Sequence, residues 1–220
     1  YTSFYDFCSR LYGRDFNRRM LEALIKCGSL DNLGANRRQM LMTSERIIEI
    51  LENEKKNYVA GQMSMFEMMG EEPSKGPDMP DVEELPVREL LSMEKETTGI
   101  YLSGHPLKRY ERMSKAMGCA MISQIKDDVH EARGKYSDGK PALILCIVES
   151  VKVKTTKNNS TMAFLTVEDM YGSMEILVFP KILENCAHLL RSGNTLLISG
   201  RISGREDEDA KMLADFIEAA

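Results

Sequence analysis

The sequence predicts an α+β protein: a helical N-terminal region followed by a small C-terminal β-barrel of five strands. Three observations carry that prediction. Apolar residues recur at helical spacing between Phe4 and Leu51, they recur at strand spacing from Ala142 onward, and a Pro-rich, strongly acidic stretch lies between the two halves. A chain of 220 residues is long enough for two small cores, and the change of period near residue 140 favours two. The chain begins at Tyr1 rather than Met, so we expect a segment of a longer protein.

Tyr1 to Tyr12 sets Phe4, Tyr5, Phe7 and Leu11 on one face of a short helix, an aromatic cluster that needs a covering surface. Asn17 reads as the N-cap of a second helix with the apolar stripe Met20, Leu21, Leu24 and Ile25, and Gly28 suits the left-handed turn that ends it. Asn36 caps a third, longer helix whose core face is Met40, Leu41, Ser44, Ile47, Ile48 and Leu51. Two helices joined by a short Gly-containing hairpin, with basic residues close by, have the layout of a helix-hairpin-helix module. There, backbone N–H groups of the hairpin and of the following helix start can hold a phosphate. Lys26, Gly28, Arg37 and Arg38 are therefore the candidate contacts to a duplex backbone. The hairpin reads Gly28-Ser29-Leu30-Asp31 where such modules have two glycines around an apolar residue, and the Asp31 carboxylate would repel phosphate. A purely structural hairpin is the competing reading.

Gly61-Gln62-Met63-Ser64-Met65-Phe66 places large apolar side chains in a run too polar to bury them. It reads as an extended docking peptide in which Gln62 hydrogen-bonds while Met65 and Phe66 fill an apolar pocket on a partner. The alternative is a helix end that packs its own Met and Phe residues. From Gly70 to Glu84 the chain holds three prolines, two glycines and six acids, a composition that builds no core, so we expect a linker. Pro86 suits the first turn of the next helix, with Val87, Leu90 and Leu91 as its apolar face and Gly99 as its end. Lys108 to Met117 predicts a further short helix closed by Gly118, and Asp127-Asp128 is expected in a polar loop running to Gly139. The expected domains are 1–58, helical; 59–84, docking peptide and acidic linker; 85–141, helical connector; and 142–220, barrel.

The β half predicts strands at 142–154, 161–168, 173–179, 194–202 and 211–217, with a helix over 180–190 between the third and fourth. Five short strands with one helix in that slot is the order of an OB fold. The turn Asp169-Met170-Tyr171-Gly172 fixes a register that pairs Glu168 with Ser173, sending Ala163, Leu165 and Val167 inward with Val178, Ile176 and Met174. Phe164 and Leu177, and Met162 and Phe179, then face outward, where OB folds stack bases. Lys152, Lys154 and Lys157 lie beside them for phosphate. The candidate single-strand contacts are Lys152, Lys154, Lys157, Phe164 and Phe179; a neighbouring protein domain over the same face is the alternative. The loop Arg205-Glu206-Asp207-Glu208-Asp209 is too acidic to contribute.

Net charge is −5, distributed as +3 over 1–46, −8 over 47–100, +3 over 101–141 and −3 over 142–220, so a polyanion should avoid the middle. The longest apolar run, Ala142 to Val148, is too short to cross a bilayer, and no signal peptide is visible. Five scattered cysteines, with no C-x-x-C and no nearby His pair, support neither a disulfide framework nor a metal site. A reduced, cytoplasmic protein without a membrane partner is the simplest expectation. His105 precedes Pro106 and lacks Ser-His-Asp or metal spacing, so it reads as a structural turn residue.

Glu94-Lys95-Glu96 followed by Gly99-Ile100-Tyr101-Leu102-Ser103-Gly104-His105-Pro106-Leu107 resembles the EKE-x-x-G-x-Y-L-S-G-H-P-L signature of bacterial DNA polymerase III alpha subunits. Asp6-Phe7-Cys8, Leu21 to Gly28 and Gln62 to Phe66 follow the order expected of that family's region beyond the fingers. The resemblance implies that Gln62, Met65 and Phe66 bind the sliding clamp, and that the partners are the clamp, duplex and single-stranded DNA and other replicase subunits. It also implies that the polymerase carboxylates and their magnesium ions belong to a palm domain outside this stretch. No catalytic residue, metal ligand or cofactor is therefore expected here. A free-standing OB module for single-stranded nucleic acid or tRNA remains the alternative.

Overall fold

Short apolar stripes set by side-chain caps build the first half of the chain. The computed structural model describes residues 1–13, 16–59, 76–131, 134–155, 160–204 and 209–220. They form two units, Tyr1–His105 and Pro106–Ala220. In the first, α1 (Phe4–Leu11), α2 (Arg18–Lys26) and α3 (Arg37–Val59) enclose a core of Phe4, Phe7, Phe16, Leu21, Ile25, Met40, Ile47 and Leu51. The α1 aromatic cluster thus finds its covering surface on α3. Asn17 Oδ1 accepts the Met20 N–H at 3.0 Å and starts α2 as expected. Met20 itself points to solvent, because the buried pair Leu21 and Ile25 sets the inward face. At α3, Asn36 and Gln39 form a reciprocal capping box: the Gln39 N–H donates to Asn36 Oδ1 and the Asn36 N–H to Gln39 Oε1, each at 2.8 Å.

The acidic stretch expected to be a linker is, over residues 76–84, laid against this unit. Gln39 Nε2 donates to the Pro80 carbonyl and Asn36 Nδ2 to the Val82 carbonyl, each at 2.8 Å, and Met79 packs on the helical core. A composition that cannot build a core can still dock, because its backbone carbonyls and carboxylates satisfy another element's polar ends. α4 (Val87–Thr98) then packs on α2 and ends at Gly99. The stretch 85–141 is shared between the units: 85–105 lies with the helices, and 106–140 lies with the barrel.

In the second unit a 3-10 turn, Pro106–Tyr110, leads into α5 (Glu111–Met117) and α6 (Ile122–His130). Asp127 and Asp128 belong to α6, not to the expected loop; the stripe Ile122, Ile125, Val129, buried against the barrel core, extends the helix through them. The barrel comprises β1 (Pro141–Thr155), β2 (Thr161–Glu168), β3 (Ser173–Val178), β4 (Thr195–Ser203) and β5 (Lys211–Ala219), with α7 (Pro180–Cys186) between β3 and β4. It closes in the order β1-β2-β3-β5-β4, and β3 and β5 run parallel. β1 can serve two neighbours because a register shift between Val148 and Ser150 bends it: its first half pairs with β4 and its second with β2. The β2–β3 register is the one expected from the four-residue turn, from Glu168↔Ser173 to Ala163↔Val178. Ile144, Leu165, Ile176, Leu196 and Ile198 fill the interior.

Candidate nucleic-acid interface

The hairpin between α2 and α3 has the backbone expected of it, with Gly28 at φ +79°, where an L side chain would be strained. A Cβ there would also collide with the Arg37 guanidinium. That guanidinium is the correction to the sequence reading. Arg37 is only 4% exposed: Nε and Nη2 donate to the two oxygens of Asp31 at 2.8 Å, Nη1 donates to the Lys26 carbonyl at 3.3 Å, and Nη2 also reaches Glu94 Oε1 at 3.0 Å. Asp31, expected to repel phosphate, instead neutralises Arg37, and its hydrogen bonds lift the guanidinium above its ordinary value. Arg37 is a structural ion, not an exposed cation.

The N–H groups at the start of α3 are also taken. Arg37 N–H donates to Glu84 Oε2 at 2.8 Å and Arg38 N–H to Glu84 Oε1 at 3.1 Å, so a carboxylate of the chain itself occupies the helix end. Of the four hairpin candidates, Gly28 serves packing, Arg37 is internal, Lys26 is half-buried and Arg38 is exposed. The hairpin's phosphate-binding groups are therefore largely consumed by contacts within the unit.

Glu94, the first acid of the signature, is 0% exposed and is the hub that sequence reasoning missed. Its Oε2 accepts the N–H groups of Leu102 and Ser103, both at 2.9 Å, and its Oε1 accepts Ser103 Oγ at 2.7 Å together with Arg37. Burial by itself would raise its pKa. The hydrogen bonds from Ser103, Leu102 and Arg37 outweigh burial and hold it below the usual carboxylate range. The signature loop is thereby fastened to the helical hairpin, and the His105 ring meets the Tyr101 ring edge-on at 4.9 Å.

The barrel offers a different surface. Its outer wall divides in two. Over the start of β1 and β4, Leu145, Ile147 and Leu197 are buried beneath Leu107, with Tyr110 and Met113 packed alongside. Over β2 and β3 the wall stays open: Phe164 and Leu177 pair across the strands, and Phe179, just past β3, is 44% exposed. Lys152 and Lys154 are exposed beside them, with Lys154 Nζ 5.0 Å from the centroid of the Phe164 ring. The adjoining row is polar: Ser150 Oγ donates to Thr166 Oγ1 at 3.0 Å, and Lys211 Nζ pairs with Glu175 at 3.0 Å. Four of the five expected single-strand contacts thus share one open face, whereas Lys157 lies outside the described residues. So do Gln62, Met65 and Phe66. Among the described residues no group of three or more His, Cys, Asp or Glu side chains could hold a metal ion, and no helix is long and apolar enough to cross a membrane.

Comparison with known proteins agrees with this division. Residues 1–40 match a helix-hairpin-helix motif, and residues 147–220 match an OB-fold nucleic acid binding domain. DNA polymerase III subunit alpha of Bacillus subtilis is 35% identical over 94% of this chain and 18% of its own length. The subunits of Borreliella burgdorferi, 32% identical over 94% of the chain and 18% of theirs, and of Escherichia coli O157:H7, 28% identical over 92% and 17%, are similar relatives. The chain thus spans less than a fifth of the length of these curated relatives. Among solved structures, the SSB domain of a Synechococcus protein covers 38% of this chain and 98% of its own at 10% identity and a TM-score of 0.34, a likeness too slight to bear weight. With its helix-hairpin-helix and OB-fold matches in order, the chain is similar along nearly its whole length to one stretch of the bacterial DNA polymerase III alpha subunits.

Proposed function

We propose that this chain is the part of a replicative DNA polymerase alpha subunit that holds DNA and tethers the enzyme to its sliding clamp in the cytoplasm, alongside other replicase subunits. The observation that carries the DNA reading is the open barrel face, where Lys152, Lys154, Phe164 and Phe179 combine stacking surface with cations while the wall over Leu145, Ile147 and Leu197 is covered. The tethering reading rests on Gln62, Met65 and Phe66, whose pattern matches the family's clamp-binding element. A tether makes re-binding after dissociation an intramolecular event at high effective concentration, and so sustains processive synthesis. The chemistry of nucleotide addition, with its magnesium ions, is assigned by the resemblance to a palm domain elsewhere in the parent, and no residue here is given a catalytic role.

Two measurements on the full 220-residue chain test this. Phe164→Ala weakens single-strand affinity by about 1–3 kcal/mol, the worth of one base–aromatic stack; an unchanged titration means that protein, not DNA, covers the face. Met65→Ala with Phe66→Ala abolishes capture by purified clamp and leaves the single-strand titration intact. Equal capture of the parent and the double variant rejects the tether.

A further inference from the structure

The register of the closed barrel extends the open face beyond the strands that carry its aromatic residues. Lys152 on β1 is opposite Phe164 on β2, Phe164 is opposite Leu177 on β3, Leu177 is opposite Leu213 on β5, and Leu213 is opposite Arg201 on β4. One continuous outward row therefore runs around the barrel, with a cation at each end and three half-buried apolar side chains between them. We propose that single-stranded DNA follows this row past β3, over Leu213 and on to Arg201, which contacts a backbone phosphate at the far end. The proposal rests on the single-strand reading of the barrel given above.

The chemistry of the row suits a nucleic-acid strand. Base faces are apolar and settle on Phe164, Leu177 and Leu213, while phosphates need charge at the margins, where Lys152 and Arg201 stand. Four strand spacings of about 4.8 Å separate the two cations, roughly 19 Å along the wall, in keeping with a site of about four nucleotides or more on an OB fold. The covered half of the wall, over Leu145, Ile147 and Leu197, leaves no room for the strand to turn the other way. Arg201 is available for exchange. It pairs with Asp215 at 3.4 Å, and both side chains are more than half exposed, so this ion pair is weak. The neighbouring Glu175 does not oppose the path with a bare charge, because Lys211 pairs with it at 3.0 Å.

The test is fluorescence anisotropy of a labelled oligothymidylate of roughly ten nucleotides with the full chain, titrated from about 50 to about 200 mM salt. Removing one phosphate contact lowers the slope of log affinity against log salt by about 0.7, so Arg201→Ala should lose about 2.6-fold less affinity than the parent over that range. Arg201→Lys keeps the charge and restores the parent slope, which separates a lost contact from a damaged fold. Asp215→Asn frees Arg201 from its carboxylate and tightens binding. If Phe164→Ala weakens binding while Arg201→Ala leaves both affinity and slope unchanged, the path ends at β3 and the extension is overturned. If neither variant changes binding, the single-strand reading itself fails.

Discussion

Replacing Glu94 should loosen the helical unit and leave the barrel alone. In Glu94→Ala, the N–H groups of Leu102 and Ser103 lose their acceptor, and so does one N–H of Arg37, whose contact with Glu94 is buried. Breaking a buried, hydrogen-bonded ion pair by deleting one partner costs about 3–5 kcal/mol. Glu94→Gln is milder. Its one oxygen can keep the Leu102 and Ser103 bonds, but its amide then faces Arg37 Nη2 donor to donor. Arg37 retains both bonds to Asp31, so a cost of about 1–3 kcal/mol is expected, that of an imperfectly satisfied buried group. Hydrogen exchange read by mass spectrometry resolves the two units: amide protection should fall in α2, α3 and α4 in the order Ala, then Gln, then parent, while β1 to β5 stay unchanged. A loss under about 1 kcal/mol for Glu94→Ala, or an equal loss in the barrel, refutes the reasoning.

The same carboxylate predicts a pH dependence. Its folded pKa lies below its ordinary value of 4.5, so the stability it contributes is present above that value and is lost as pH falls through the folded one. Acid titration of helical-unit protection should show that loss in the parent and a flatter profile in Glu94→Gln. Asp169 ties two elements together, accepting the Ile122 N–H at 2.7 Å at the start of α6 and the Tyr171 and Gly172 N–H groups at 2.7 and 2.9 Å in the β2–β3 turn. Asp169→Ala should destabilise the barrel by about 1–3 kcal/mol, measured by urea unfolding. Gly200→Ala would drive a methyl into the Leu213 carbonyl where β4 meets β5; it should lower the barrel's thermal midpoint and leave the helical unit unaffected. Burial pushes the Cys8 thiol up to about 12, so alkylation at pH 8 should await opening of the helical core.

Local chemistry was the most legible part of the sequence. Asn17 and Asn36 announce their helices because a side-chain oxygen before an apolar stripe has a definite use there. The β2–β3 face follows from a four-residue turn and a period of two. What stayed hidden depends on partners distant in the chain. Arg37 looks like a free cation until Glu94, far along the sequence, is placed beside it, and Glu84 looks like linker charge until its oxygens meet the start of α3. Leu213 and Arg201 join the open face only through the parallel pairing of β3 with β5, which neither strand's own pattern encodes. Asp127 and Asp128 look like loop acids on their own, and only the burial of Ile122, Ile125 and Val129 against the barrel carries a helix through them.

The anchoring of residues 76–84 on α3 fixes both ends of the chain that brackets residues 60–75. The sixteen residues between Val59 and Gly76 start at one end of that helix and return to the same unit. At about 3.3–3.6 Å per residue, their midpoint can stand no farther than roughly 30 Å from its moorings. A partner that binds within residues 60–75 is thus kept within one small domain's breadth of the helices, and cutting the Glu84 and Gln39 fastenings would lengthen that radius without altering a residue between them.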